Sequence, residues 1–164
     1  MKSANSRRRA SVVPAALALT LATMLAPRLE AAVTNELVVA DQRAGVALFG
    51  FDPVNYFLEG SPRAGSESFE LPFGGFTWRF RSEANRAAFR DRPDAYVPRF
   101  GGYDPIALVR GVPVAGHPTM FIVHENQLFL FHQPENRAKF LADPAAAIEA
   151  ARSAWPLVRR SLVH

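Results

Sequence analysis

The sequence predicts an α+β fold, with a two-fold internal repeat of turn, β-hairpin and helix forming a single antiparallel sheet and the helices packed on it. Three observations lead there. Gly50-Phe51-Asp52-Pro53-Val54 returns as Gly102-Tyr103-Asp104-Pro105-Ile106, 52 residues on. In a register of 51, Gly60, Pro62, Ala64 and Gly65 fall on Gly111, Pro113, Ala115 and Gly116, and Phe80, Asn85, Arg86 and Phe89 fall on Phe131, Asn136, Arg137 and Phe140. Within each copy the apolar pattern passes from period two to helical spacing. Neither copy alone has enough apolar surface to close a core, so the two hairpins are expected to join, related by an approximate two-fold axis.

The elements follow in order. Leu37-Val38-Val39 suits a short edge strand, and Asp41 to Gly45 a turn. Asp52 caps a short helical turn with Pro53 at its first position, which turns Tyr56 and Phe57 inward. Phe69, Leu71 and Phe73, then Phe76, Trp78 and Phe80, alternate with polar or small residues around Gly74-Gly75, the mark of a hairpin with one buried face. Ser82 caps a helix from Glu83 to about Asp91. In the second copy Met120 to Val123 and Leu128 to Phe131 flank Glu125-Asn126 as nearly unbroken apolar runs, which predicts strands covered on both faces. Pro134 opens a helix and Asp143-Pro144 another. The latter buries Ile148, Ala151 and Trp155, is expected to end at Trp155-Pro156, and leaves Arg159-Arg160 as a frayed tail.

The first 31 residues are set apart. Lys2 and Arg7-Arg8-Arg9 precede the apolar stretch Ala10 to Ala26, and Leu29-Glu30-Ala31 offers a cleavage site, so a secretory signal peptide is expected. The paired arginines also suit a twin-arginine route. A membrane span needs roughly 20 apolar residues; this run is short and contains Pro14, so no stable span is expected once it is removed. The expected organisation is a signal peptide over 1–31, a lead-in over 32–49, and repeats over 50–101 and 102–158, with one folded domain over 37–158.

Charge and composition then exclude partners and chemistries. The chain has 19 basic and 15 acidic residues; the leader takes five basic residues and one acidic residue, leaving 14 of each. The basic character belongs to the leader, and nucleic acid is rejected as a partner. With no cysteine in the chain, disulfides, thiolate metal sites and cysteine nucleophiles are excluded.

Gly45 to Phe57, Trp78 to Arg86, Tyr96-Val97-Pro98-Arg99-Phe100-Gly101-Gly102-Tyr103 and Trp155-Pro156 together resemble exported proteins of the YHS-domain family. The resemblance covers nearly all of the chain after the leader. It implies a small α+β domain and, for cysteine-bearing members, metal handling. Those members commonly continue Gly-Gly-Tyr with Cys-Ala, whereas Asp104-Pro105 follows Tyr103 here. Of the tripeptide that names the family, the second copy keeps only the histidine, as Phe131-His132-Gln133.

Four histidines follow the leader: His117, His124, His132 and His164. A turn at Glu125-Asn126 places His124 and His132 eight residues of strand apart, roughly 26 Å, so they cannot share an ion. His132 should lie across from about Thr119, near His117 and within reach of Met120. A His117, Met120, His132 cluster suits copper, with zinc the other candidate metal; the competing reading is a loop histidine at His117 and a helix start at His132. Asp52 and Asp104, Arg86 and Arg137, and Asn85 and Asn136 are duplicated. They form either paired anion or ligand sites, or structural ties in which Asp caps its turn and Arg pins the following helix. The structural reading is favoured because the repeat itself requires such ties. Tyr56, Trp78, Tyr96 and Tyr103 suit either a cleft between the copies or packing. No Gly-x-Ser-x-Gly elbow, His-Glu-x-x-His or phosphate-cradling loop occurs, so a catalyst is not expected. The function expected is an exported binding or accessory protein of the bacterial envelope, metal-linked, with an unidentified protein or metal partner. The alternative is a metal-free interaction or scaffold domain.

Overall fold

The computed structural model describes residues 38–41 and 43–162. The leader, Leu37 and His164 lie outside the described residues. The fold is α+β, with six strands and five helices among the described residues. Strands β1 (Ala40–Asp41), β2 (Val46–Ala47), β3 (Ser66–Phe73) and β4 (Phe76–Phe80) form one sheet in the order β1-β2-β4-β3. Strands β5 (His117–His124) and β6 (Gln127–Phe131) form a separate hairpin.

The single antiparallel sheet is therefore corrected to two sheets, one of them mixed, since β2 runs parallel to β4 through Val46 and Thr77. The reason lies in the inner strands. β4 already has β3 on one edge and β2 on the other. β6 has β5 on one edge, and the turn Arg99–Gly102 packs against it. Neither has an edge left for the other hairpin. The hairpins meet through side chains instead. Leu128 and Leu130 of β6 join a core with Tyr56, Trp78, Phe80 and Phe89, while Phe129 and Phe131 join a second core with Leu108, Phe140, Ala151 and Trp155. Covering both faces of β6 removes four large side chains from water, each worth about 1.5–3 kcal/mol. β5 departs from the expectation of full cover: Met120 to Ile122 are half-buried and Val123 is exposed.

Both hairpins turn through two residues of positive φ, Gly74-Gly75 and Glu125-Asn126, the backbone that matches strand twist in a two-residue loop. Helix α2 (Glu83–Asp91) starts as expected, with the Ser82 hydroxyl accepting from the Asn85 amide. Helices α3 (Pro105–Leu108) and α4 (Pro134–Ala142) follow the predicted Asp104-Pro105 and Pro134 starts, whereas α1 (Asn55–Leu58) begins two residues after Pro53, with Val54 rather than Asp52 at its cap. Helix α5 (Pro144–Leu162) does not stop at Trp155-Pro156. It carries Pro156 inside it and buries Val158 one turn later, which also orders Arg159-Arg160. Burial of that face offsets the cost of an internal proline. No helix among the described residues is long and apolar enough to cross a membrane.

Before each Asp-Pro turn the chain takes three consecutive left-handed steps. Leu48, Phe49 and Gly50 have φ of 50°, 52° and 84°, and Phe100, Gly101 and Gly102 have 54°, 63° and 86°. Each turn is tied back by a hydrogen bond across the hairpin, from Gly65 N to the Gly50 carbonyl at 2.8 Å and from Gly116 N to the Gly102 carbonyl at 3.0 Å. At Gly116 any Cβ would sit 2.5 Å from Leu130 Cβ, so the close approach demands glycine.

Candidate functional site

Asp52 and Asp104 are both fully buried, and their partners decide between the two readings of the duplicated polar residues. The Asp52 carboxylate accepts from the Val54 amide at 2.8 Å, the Arg81 amide at 2.8 Å and Asn85 Nδ2 at 2.6 Å. The Asp104 carboxylate accepts from the amides of Ile106 at 2.9 Å, Ala107 at 3.2 Å and His132 at 2.8 Å, and from Asn136 Nδ2 at 2.8 Å. Each is a latch that joins a turn, the end of the inner strand and the first turn of the helix after it. These carboxylates are engaged in ties within the fold. The expected Arg tie is corrected to an Asn tie. Arg86 pairs with Glu83 at 2.6 Å, and Arg137 Nε donates to the Phe121 carbonyl at 3.2 Å. Asparagine suits this role because it is buried in both copies, and a neutral amide costs less to desolvate than a guanidinium.

The aromatic residues do not assemble into one cleft. Trp78 is buried in the first core, with its indole nitrogen donating to the Phe73 carbonyl at 3.0 Å. Tyr103 is half-buried against the second core, its ring centroid 5.9 Å from that of Trp155, and burial pushes its phenol above the ordinary pKa. Tyr56 ties the halves together. Its hydroxyl donates to the Pro118 carbonyl at 2.9 Å, and its ring meets Phe121 edge-on at 4.9 Å. Burial, and secondarily the charge of Asp52, raise its phenol well above the usual tyrosine range.

The histidines divide as the hairpin geometry requires. His124 sits at the turn end beside Glu125, with its ring edge-on to Phe140 at 6.2 Å, and is remote from the others. His117, Met120 and His132 line one surface cleft of about 420 Å³, together with Phe49, Ala115, Gly116 and Thr119. The register behind this differs from the expected one. Counting from the turn would set Thr119 across from His132, but an irregularity between His117 and Phe121 brings His117 opposite Phe131. The Asp104 latch holds the backbone of His132. The Thr119 hydroxyl lies 2.8 Å from His117 Nδ1 and the Thr119 amide donates to the same nitrogen at 3.3 Å, so Nδ1 is engaged within the hairpin. Both histidines are exposed, and Met120 is half-buried. No three His, Cys, Asp or Glu side chains converge on a point among the described residues, so a cage of hard oxygen donors is absent there.

Phe49 is the cleft residue that sequence reasoning missed. It is 49% exposed, in left-handed backbone, a conformation that costs roughly 1–2 kcal/mol for a side-chain-bearing residue. In the register of 52 it stands where the second copy has Gly101, and that mismatch was the available signal. Its ring also walls a smaller apolar cleft of about 180 Å³ with Phe76, Tyr103 and Leu162.

No family model, curated protein or solved structure matches this chain.

Proposed function

We propose that this chain is an exported YHS-like binding or accessory protein of the bacterial envelope, and that the cleft of His117, Met120 and His132 is where it engages a metal. The two copies of the repeat supply the frame, and the second copy supplies the site. The observation that carries the reading is the gathering of two exposed imidazoles and a thioether in one cleft, from residues 117, 120 and 132, on a backbone held by a buried carboxylate. Those donors suit soft or borderline ions such as copper and zinc. The residues around the cleft offer no paired carboxylates or activated nucleophile, so binding rather than catalysis is proposed. The test is the metal content of the full chain purified from an exporting host, followed by melting with and without copper or zinc. Stoichiometric metal and a raised melting temperature, both lost in His132→Ala, are expected.

A second reading, a metal-free interaction domain, has its own observation. Asp104 occupies the place where cysteine-bearing members of the family continue with Cys-Ala, and it is fully buried and turned onto the latch. That position contributes no ligand. Melting that is indifferent to every metal, in protein purified bare, would select this reading.

A further inference from the structure

We infer that the cargo of this cleft is a soft monovalent cation of the Cu(I) class, and that Phe49 is a recognition residue which walls the ion with its ring. The inference rests on the metal-linked reading above and deepens it.

The donor set comes first. The cleft brings together two imidazoles and one thioether with no carboxylate among its lining residues. The only side-chain oxygen there is the Thr119 hydroxyl, which is engaged with His117 Nδ1 at 2.8 Å. The Thr119 amide also donates to His117 Nδ1 at 3.3 Å, so Nδ1 accepts within the hairpin and Nε2 is the nitrogen a bound ion would meet, displacing the ring proton. Mg²⁺ and Ca²⁺ need oxygen shells, and structural zinc sites need four nitrogen, sulfur or oxygen ligands. Three soft or borderline donors satisfy a low-coordinate Cu(I), which thioethers favour.

Phe49 is the second, independent observation. Gly101 shows that this three-step left-handed turn accepts glycine at the same position in the other half. A half-exposed phenylalanine there strains the backbone and gains little burial, and such outliers gather at ligand sites. Its ring lines the cleft that holds His117, Met120 and His132, where an aromatic face attracts a cation and keeps water off one side.

The experiment is an anaerobic Cu(I) titration of the full chain against a chromophoric Cu(I) chelator, repeated with Ag(I) and Zn(II) as competitors. One equivalent of Cu(I) is expected, displaced by Ag(I) and untouched by equimolar Zn(II). Met120→Leu should weaken Cu(I) and Ag(I). Phe49→Gly should melt no lower than the parent yet bind Cu(I) about fivefold more weakly, and Phe49→Leu, which keeps apolar bulk without a π face, should show the same loss. Equal Cu(I) affinity in the parent and both Phe49 variants would overturn the role of Phe49. Preference for Zn(II) would overturn the cargo and leave the metal-linked reading standing. Failure to bind any of the three ions would end both.

Discussion

The turns at Asp52-Pro53 and Asp104-Pro105 are held the same way, and the hairpins that follow them are used differently. Each turn has a buried aspartate that ties it to the inner strand and to an asparagine on the next helix. Yet β4 has a strand, β2, as its second neighbour, while β6 has a turn packed beside it and apolar side chains buried on both faces. The latch depends on groups within one copy. The environment of the strand depends on what the rest of the chain places against it. The local device therefore recurs at both turns, and position in the molecule sets the role of each hairpin.

The largest effects should come from breaking the latches. Asp104→Ala leaves three backbone amides and Asn136 without their acceptor, and hydrogen bonds to a charged group are worth about 1.5–3 kcal/mol each. A loss of about 4 kcal/mol is expected in urea unfolding, with Asp52→Ala close behind because it strips two amides and Asn85. If one substitution proved nearly silent, the equivalence of the two latches would be broken. Asp104→Ala should also displace His132, so it should weaken metal binding, whereas Asp52→Ala should leave binding per folded molecule unchanged.

Next in size is the tie between the copies. Tyr56→Phe deletes the hydrogen bond to the Pro118 carbonyl and should cost about 1–2 kcal/mol. It also has a pH signature. The folded pKa of Tyr56 lies above its ordinary value of 10.0, so the folded state holds the proton more tightly than the unfolded chain does. Its contribution is complete below about pH 10 and falls as pH rises past that point, by up to about 1.4 kcal/mol per pH unit. Tyr103 is raised in the same direction and adds to the loss. Stability of the parent measured from pH 8 to 11 should therefore decline, and Tyr56→Phe should flatten the decline without abolishing it. An unchanged slope in the variant would show that Tyr56 is not the group whose titration sets the decline.

The smallest effect sharpens the distinction between Asn and Arg. Arg86→Ala removes a pair with Glu83 whose side chains are 33% and 56% exposed, and such surface pairs are worth about 0.2–1 kcal/mol. Asn85→Ala removes a buried hydrogen bond to the Asp52 carboxylate and should cost several times more in the same unfolding assay. A larger loss at Arg86 would restore the arginine as the helix tie.

Much of the local structure was legible. The Asp104-Pro105 start, the Ser82 cap, the two-residue turns at Gly74-Gly75 and Glu125-Asn126 and the α+β class all follow from side-chain chemistry acting over a few residues. The cleft was legible in its members, since hairpin spacing already put His117, Met120 and His132 near one another. Its fourth participant was not. Phe49 lies 68 residues before His117, and nothing in its neighbourhood announces a left-handed exposed ring except comparison with Gly101. The choice between Arg and Asn as partner of the aspartates was also hidden, because both recur in the same register and only burial separates them.

By itself the sequence determined the repeated unit, its caps and turns, and the absence of thiol chemistry, because each depends on residue type and short spacing. The tertiary structure decided that the hairpins stay in two sheets, that β6 is covered on both faces, that Asn rather than Arg meets the buried carboxylate, and that Phe49 stands beside the histidines. Those outcomes turn on which edges are already filled and which surfaces meet across long stretches of chain, and pairwise distance along the sequence carries neither.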